Sequence, residues 1–170
     1  MTSASSSKKN GLVIADSGAI FSLAVLDQLE LLNALFDDAA IPGAVWEEIM
    51  LDRTVSFYGR MHSFFKERVR PVTGMNVLTP LMDYGESECV LLCKEATADF
   101  LLIDDRKARM IAENFGIRCI GTIGLLAVAR QKKIIPALLP LFETLLRNKR
   151  FYSLELLNAV LAQHDEGRLG

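Results

Sequence analysis

The chain has 170 residues, 51% of them hydrophobic and 24% charged, with a formal net charge of −2. That length fits one domain with a sizeable core, and the composition is that of an ordinary globular protein with a slight apolar excess. No run approaches the ~20 apolar residues of a membrane span, and the net charge alone gives no sign of a generally basic, phosphate-binding surface.

Met1–Asn10 is rich in Ser, with Lys8-Lys9 near its end, and the apolar run after it is too short for a secretory signal. It reads as a disordered leader over 1–10, followed by a single domain over 11–170 in a cytoplasmic protein. Leu12-Val13-Ile14-Ala15 is a short β-favouring run that stops at Asp16-Ser17-Gly18, a buried strand followed by a cap-and-turn signal. Apolar residues then recur at helical spacing from Ile20 to Phe36, and Asp27 marks a break between two helices. Ala39-Ala40-Ile41 is the next strand, and Pro42 suits the first turn of a helix carrying Val45, Trp46 and Ile49.

A mixed helical pattern covers Phe57–Val69, and Val72–Leu78 reads as a strand with Gly74 inside it. A loop follows over Pro80–Gly85. Glu86–Ala96 is a strong helix, Phe100–Ile103 a buried strand, and Asp105–Phe115 a helix stopped by Gly116. Arg118–Ile120 is a further strand, and Thr122 caps a helix running through Arg130. Two helical segments close the chain, Pro136 to Arg147 and about Ser153 to His164. Short apolar strands alternating with helices predict a three-layer α/β/α domain, with a central parallel sheet and a helical C-terminal end.

Cys89, Cys93 and Cys119 lack the company and spacing of a zinc site and read as buried, reduced thiols. The basic residues cluster, as in Arg106, Lys107 and Arg109 or Arg147, Lys149 and Arg150, and each cluster by itself reads as a solvated face. The apolar stripe Leu138, Leu139, Leu141, Phe142, Leu145 and Leu146 fits either core or a partner surface.

In open parallel sheets ligands bind beyond the carboxyl ends of the strands, so the residues there are the ones to inspect. Asp16 follows the first strand; Asp104 and Asp105 follow Leu101-Leu102-Ile103. Glu47-Glu48 comes after the second strand, and Glu86 and Glu88 open the helix before Phe100. Each acid alone reads as a helix cap or a complement to a helix dipole. Their joint placement differs, because carboxylates gathered at one edge repel unless a cation sits among them. Oxygen ligands select hard ions, so Mg²⁺ or Mn²⁺ is the natural occupant.

These segments resemble the PIN-domain family. Val13–Ile20 is similar to its opening strand and first acid, Ile41–Ile49 to its second acid segment, Gly85–Cys89 to its third, Leu101–Arg109 to its fourth, and Ile120–Leu125 to the strand and turn after it. The likeness runs from Leu12 to Phe151 and is closest to a prokaryotic, toxin-like (VapC-like) subgroup. It implies a magnesium- or manganese-dependent endoribonuclease, the toxin of a toxin–antitoxin pair and a homodimer, with RNA as substrate and an antitoxin protein as partner. Carried onto this chain, the acids are Asp16, Glu48, Glu88 and Asp105, with Asp104 able to share the site. Glu48 is preferred to Glu47 because Ile49 follows it, and Glu88 to Glu86 because the small Cys89 follows it. Ser17 and Thr122 would hold the acids or a water, or serve only as helix caps; Arg106 and Lys107 would meet the substrate.

The alternative is a catalytically silent PIN-fold module that binds RNA or a partner protein. A haloacid-dehalogenase-type phosphohydrolase would need Asp where this chain has Gly18, and no phosphate-binding Gly-rich loop with Lys-Ser/Thr occurs.

Overall fold

The computed structural model describes residues 8–170. Its centre is β1 (Leu12–Ala15), where Val13, Ile14 and Ala15 are all fully buried. Successive strand residues face opposite sides of a sheet, so a run buried throughout must be covered on both faces. The chain continues through α1 (Ser17–Val25), α2 (Leu31–Leu35), β2 (Asp38–Pro42), α3 (Gly43–Ile49), α4 (Tyr58–Phe65) and β3 (Val69–Arg70). The second half is α5 (Tyr84–Ala96), β4 (Phe100–Leu102), α6 (Arg106–Asn114) and β5 (Cys119–Ile120), then α7 (Thr122–Gln131), α8 (Leu139–Arg147) and α9 (Leu154–Gln163).

Among the described residues, five strands form one parallel sheet in the order β3-β2-β1-β4-β5. Val13 pairs with Ala39 of β2 on one side and Phe100 of β4 on the other. The topology reverses at β1, whose neighbours are β2 and β4, so the carboxyl ends of β1 and β4 flank the crevice where such sheets take ligands. The fold is thus the expected α/β sheet flanked by helices.

Several boundaries differ from the sequence reading. No strand forms over 72–78; β3 is Val69–Arg70, starting at the last residue of the segment expected to be helical. Pro71 has no N–H to continue the ladder. Beyond it, the amides of Thr73 and Gly74 donate to the Glu95 carboxylate rather than to a strand. Pro42 ends β2 and occupies the N-cap of α3 rather than its first turn. Thr122 is the first residue of α7 and Gly121 its N-cap, so Thr122 does not cap that helix. The helix expected from Pro136 begins at Leu139, where Glu166 accepts from the amides of Leu138 and Leu139.

Other features stand where the pattern placed them. Asp27 breaks α1 from α2 with φ +54°, and Gly116 follows α6 with φ +79°. Of the leader expected over 1–10, residues 1–7 lie outside the described residues. Asn10, at its other end, is held by the Leu35 carbonyl through both backbone and side-chain amides. Leu138, Phe142 and Leu145 of the C-terminal stripe are fully buried, and Leu139, Leu141 and Leu146 pack against the same core. Cys89 and Cys93 are buried, Cys119 half-buried, and none is bridged.

Candidate metal centre

Asp16 leaves β1 at the N-cap of α1, with its backbone tied to β4 through the Leu102 carbonyl. Only 7% of it is exposed. Burial pushes its carboxyl up to about 6; the Ser17 and Gly18 amides at the start of α1 oppose this, and the charges of Glu48 and Asp104 add to it. Beneath it lies the Cys89 thiol, fully buried, 3.7 Å from the Ala15 carbonyl and 4.0 Å from Asp16 Oδ1. Burial first, and then the negative charge of Asp16, holds that thiol protonated.

Glu48 comes from α3 and accepts a 2.5 Å hydrogen bond from Ser17 Oγ. Its carboxylate lies against the backbone of Gly85, so closely that a Cβ on Gly85 would overlap Glu48 Oε1. Glu47, one residue earlier, is exposed to solvent.

The two glutamates at the start of α5 part company. Glu88 turns to the neighbouring helix: its Oε2 accepts from the Ala44 amide at 2.9 Å and its Oε1 from the Tyr84 hydroxyl at 2.9 Å. The cause is local. Pro42 at the N-cap of α3 offers no side-chain acceptor, so an acid from another helix satisfies the amide left open there. Glu86 instead closes a capping box at the start of α5, its Oε2 accepting from the Asp83 amide at 3.3 Å, and feels the charges of the other acids. Desolvation, then the charges of Asp16, Asp105 and Asp83, raises it to about 7, against a weaker pull from the Asp83 amide.

Asp104 and Asp105 both emerge from the end of β4 but are held differently. Asp104 Oδ1 accepts from the Thr122 amide and Oδ2 from the Thr122 hydroxyl, each at 2.7 Å. Oδ2 also takes the Tyr152 hydroxyl at 2.7 Å. Burial, then the Asp104 charge, pushes that phenol up to about 12, so it stays a donor. Asp105 is exposed, and one oxygen caps α6 by accepting from the Ala108 amide at 2.8 Å. Arg106 and Lys107 are exposed at the head of the same helix.

The structure therefore gathers Asp16, Glu48, Glu86, Asp104 and Asp105 at the carboxyl end of the sheet. Ser17 and Thr122 each donate to one of these acids, and Glu88 serves α3. Among the described residues no ion pair involves any of the five; the acids that are paired, Asp27, Asp38 and Glu166, lie elsewhere.

A model described as PIN domain matches residues 12–166. The chain belongs to the PIN-domain family. Neither the curated proteins nor the solved structures offer a match. PIN domains are typically nucleases that use divalent metal ions, and this PIN domain has the chemistry such an ion needs. Its donors are all oxygen, they are unpaired, and burial and mutual repulsion hold two of them above the ordinary carboxylate range. Among the described residues, however, no three acidic, Cys or His side chains converge tightly enough to grip one ion by themselves. Mg²⁺, which keeps several waters and takes only one or two carboxylates directly, can bind without such a cluster.

Sequence reasoning set Glu86 aside and overlooked Tyr152. For Glu86 a signal was present: it lies three residues before Cys89, hence on the same helical face. For Tyr152 there was none.

Proposed function

We propose that the protein is a Mg²⁺- or Mn²⁺-dependent endoribonuclease that hydrolyses RNA phosphodiester bonds. The observation that carries this reading is the set of five carboxylates, unpaired by any described cation, at the switch point of a PIN-domain sheet. Asp16, Glu48, Glu86 and Asp105 would hold the ion directly or through water, with Asp104 beside them. Glu86 takes the place the resemblance gave to Glu88, whose oxygens are committed to α3 and Tyr84. When bound, the ion lowers the pKa of a water and stabilises charge on the phosphate. The protein's own part is to fix the acids. Ser17 orients Glu48, Gly85 admits it, Thr122 and Tyr152 lock Asp104, and the buried thiol of Cys89 gives Asp16 a dry floor.

Membership of the PIN family also supports a toxin role, with an antitoxin protein as partner and a homodimer as the assembly. A silent binding module is favoured by one observation, the lack of three converging ligands among the described residues.

Incubation with a pool of structured RNAs, with Mg²⁺ or Mn²⁺ or with EDTA, tests the reading. The parent is expected to cut only with metal, and Asp16→Asn to lose about a thousandfold in rate, roughly 4 kcal/mol of barrier. Cleavage by Asp16→Asn at the parental rate would remove Asp16 from the metal site. Metal bound by a parent that cuts none of the RNAs would favour the silent module or a narrowly selective toxin.

A further inference from the structure

Asp104 and Tyr152 line two adjoining clefts. One, of about 450 Å³, carries Arg106 and Arg109. The other, of about 300 Å³, is lined by Asp104, Lys149, Arg150, Phe151 and Tyr152. A trough with cations at both ends thus passes Asp104, in a chain whose net charge is negative.

Arg150 is the best-fixed cation of the trough. Its Nε donates to Ser22 Oγ at 3.1 Å and its Nη2 to the Gly18 carbonyl at 2.8 Å, both on α1. Its Nη1 has no hydrogen-bond partner among the described residues. A Cβ built on Gly18 would stand 3.7 Å from Arg150 Nη2 and 3.9 Å from Asp16 Oδ2, so the guanidinium and the first carboxylate flank one point without pairing. A guanidinium locked on one edge and open on the other loses little entropy on gripping a phosphate oxygen. Phe151, next in sequence, is 77% exposed. A cationic groove with an exposed aromatic ring is the arrangement that grips a nucleic-acid strand, backbone on the charges and base on the ring.

We propose that the 149–152 loop is the substrate-strand subsite, with Arg150 contacting the backbone phosphate beside Asp16 and Phe151 stacking on the neighbouring base. The proposal rests on the nuclease reading and adds to it the residues that seat the substrate.

The competing role for Arg150 is to staple its loop to α1, and the test is chosen so that this role leaves the readout unmoved. In the Asp16→Asn background with Mg²⁺, binding of a fluorescein-labelled RNA strand of about 12 nucleotides, within the site sizes of single-strand grooves, is followed by anisotropy across a salt series. Arg150→Gln keeps a donor at the position of Nε, within reach of Ser22 Oγ, but removes the charge. It should flatten the plot of log affinity against log salt by about 0.7, the loss of one phosphate contact on a single strand. Phe151→Ala should weaken binding roughly tenfold and leave that slope unchanged. An unchanged slope in Arg150→Gln, or no measurable binding by the Asp16→Asn protein, overturns the subsite. Cleavage by the parent, assayed separately, decides the nuclease reading, so the two fail by different signs.

Discussion

Two carboxylates near opposite ends of the chain show how differently this fold treats a shielded charge. Glu166 accepts from Arg130 Nε at 3.1 Å and from the Leu138 and Leu139 amides, and only 11% of its side chain is exposed. Those amides and Arg130 outweigh its burial and leave it below the ordinary carboxylate range, although burial is the largest single influence. Asp16, as well shielded, has the amides of α1 but no ion pair, and burial, joined by repulsion from Glu48 and Asp104, raises it to about 6. The chain can satisfy a shielded acid completely when its task is to pin a helix. At the end of β1 it leaves one unsatisfied.

Truncating the satisfied acid should have the larger structural effect. Glu166→Ala leaves Arg130 unpaired and two amides at the start of α8 without acceptors, which costs about 3 kcal/mol. Chemical denaturation at pH 7.5 checks this. Cleavage per folded molecule is expected to stay at the parental level, because Glu166 is remote from the five acids.

The unsatisfied acid should behave in the opposite sense. Asp16 has its carboxyl raised in the folded state, so the fold binds the extra proton and is destabilised as pH climbs from about 4 through about 6. Glu86, raised to about 7, acts in the same direction. Glu166, lowered, stabilises the fold above the unfolded value of 4.5, and that contribution is lost as pH falls through its folded value. Asp16→Asn mimics the protonated acid. In EDTA it should be more stable than the parent by about 2–3 kcal/mol at pH 7.5 and no more stable at pH 4. Mn²⁺ should stabilise the parent at pH 7.5 and leave Asp16→Asn unmoved. Equal stability of the two proteins at both pH values would mean that the Asp16 charge is already balanced without metal.

Chemistry close to a strand was legible in the sequence; chemistry set by helix phase or long-range contact was not. β1 and β4 showed as apolar runs because both faces are buried, and Asp16, Asp104 and Asp105 followed from them. β3 was missed because two residues at a sheet edge leave no periodicity, and Pro71 cuts the ladder where the apolar pattern goes on. Glu86 and Glu88 differ by about 200° around a helix, so the choice between them depended on what each face met. The fact that Pro42 cannot cap α3, so that Glu88 does, is visible only once the two helices are side by side. Tyr152 meets Asp104 across 48 residues of chain, a contact no local pattern encodes.

The smallest effect tests whether the acid end of the sheet is arranged for activity or merely tolerated. Gly85 is helical and has no need of a positive φ, so Ala there should favour α5 by about 0.5–1 kcal/mol on propensity alone. The obstacle is Glu48. A Cβ at 85 would overlap its Oε1 and lie 3.0 Å from its Cδ. A carboxylate at the end of a flexible side chain yields more readily than backbone, so Gly85→Ala should displace Glu48 from Ser17 Oγ rather than unfold the protein. Displacing that carboxylate slightly, with its charge retained, should cost about tenfold in kcat, or ~1.4 kcal/mol. Melting temperature and kcat measured together separate the readings. A stable, slower Gly85→Ala protein means that glycine is held at 85 for the placement of Glu48. An unstable one with normal kcat would put Glu48 with Glu166, among the acids whose work is to hold the fold.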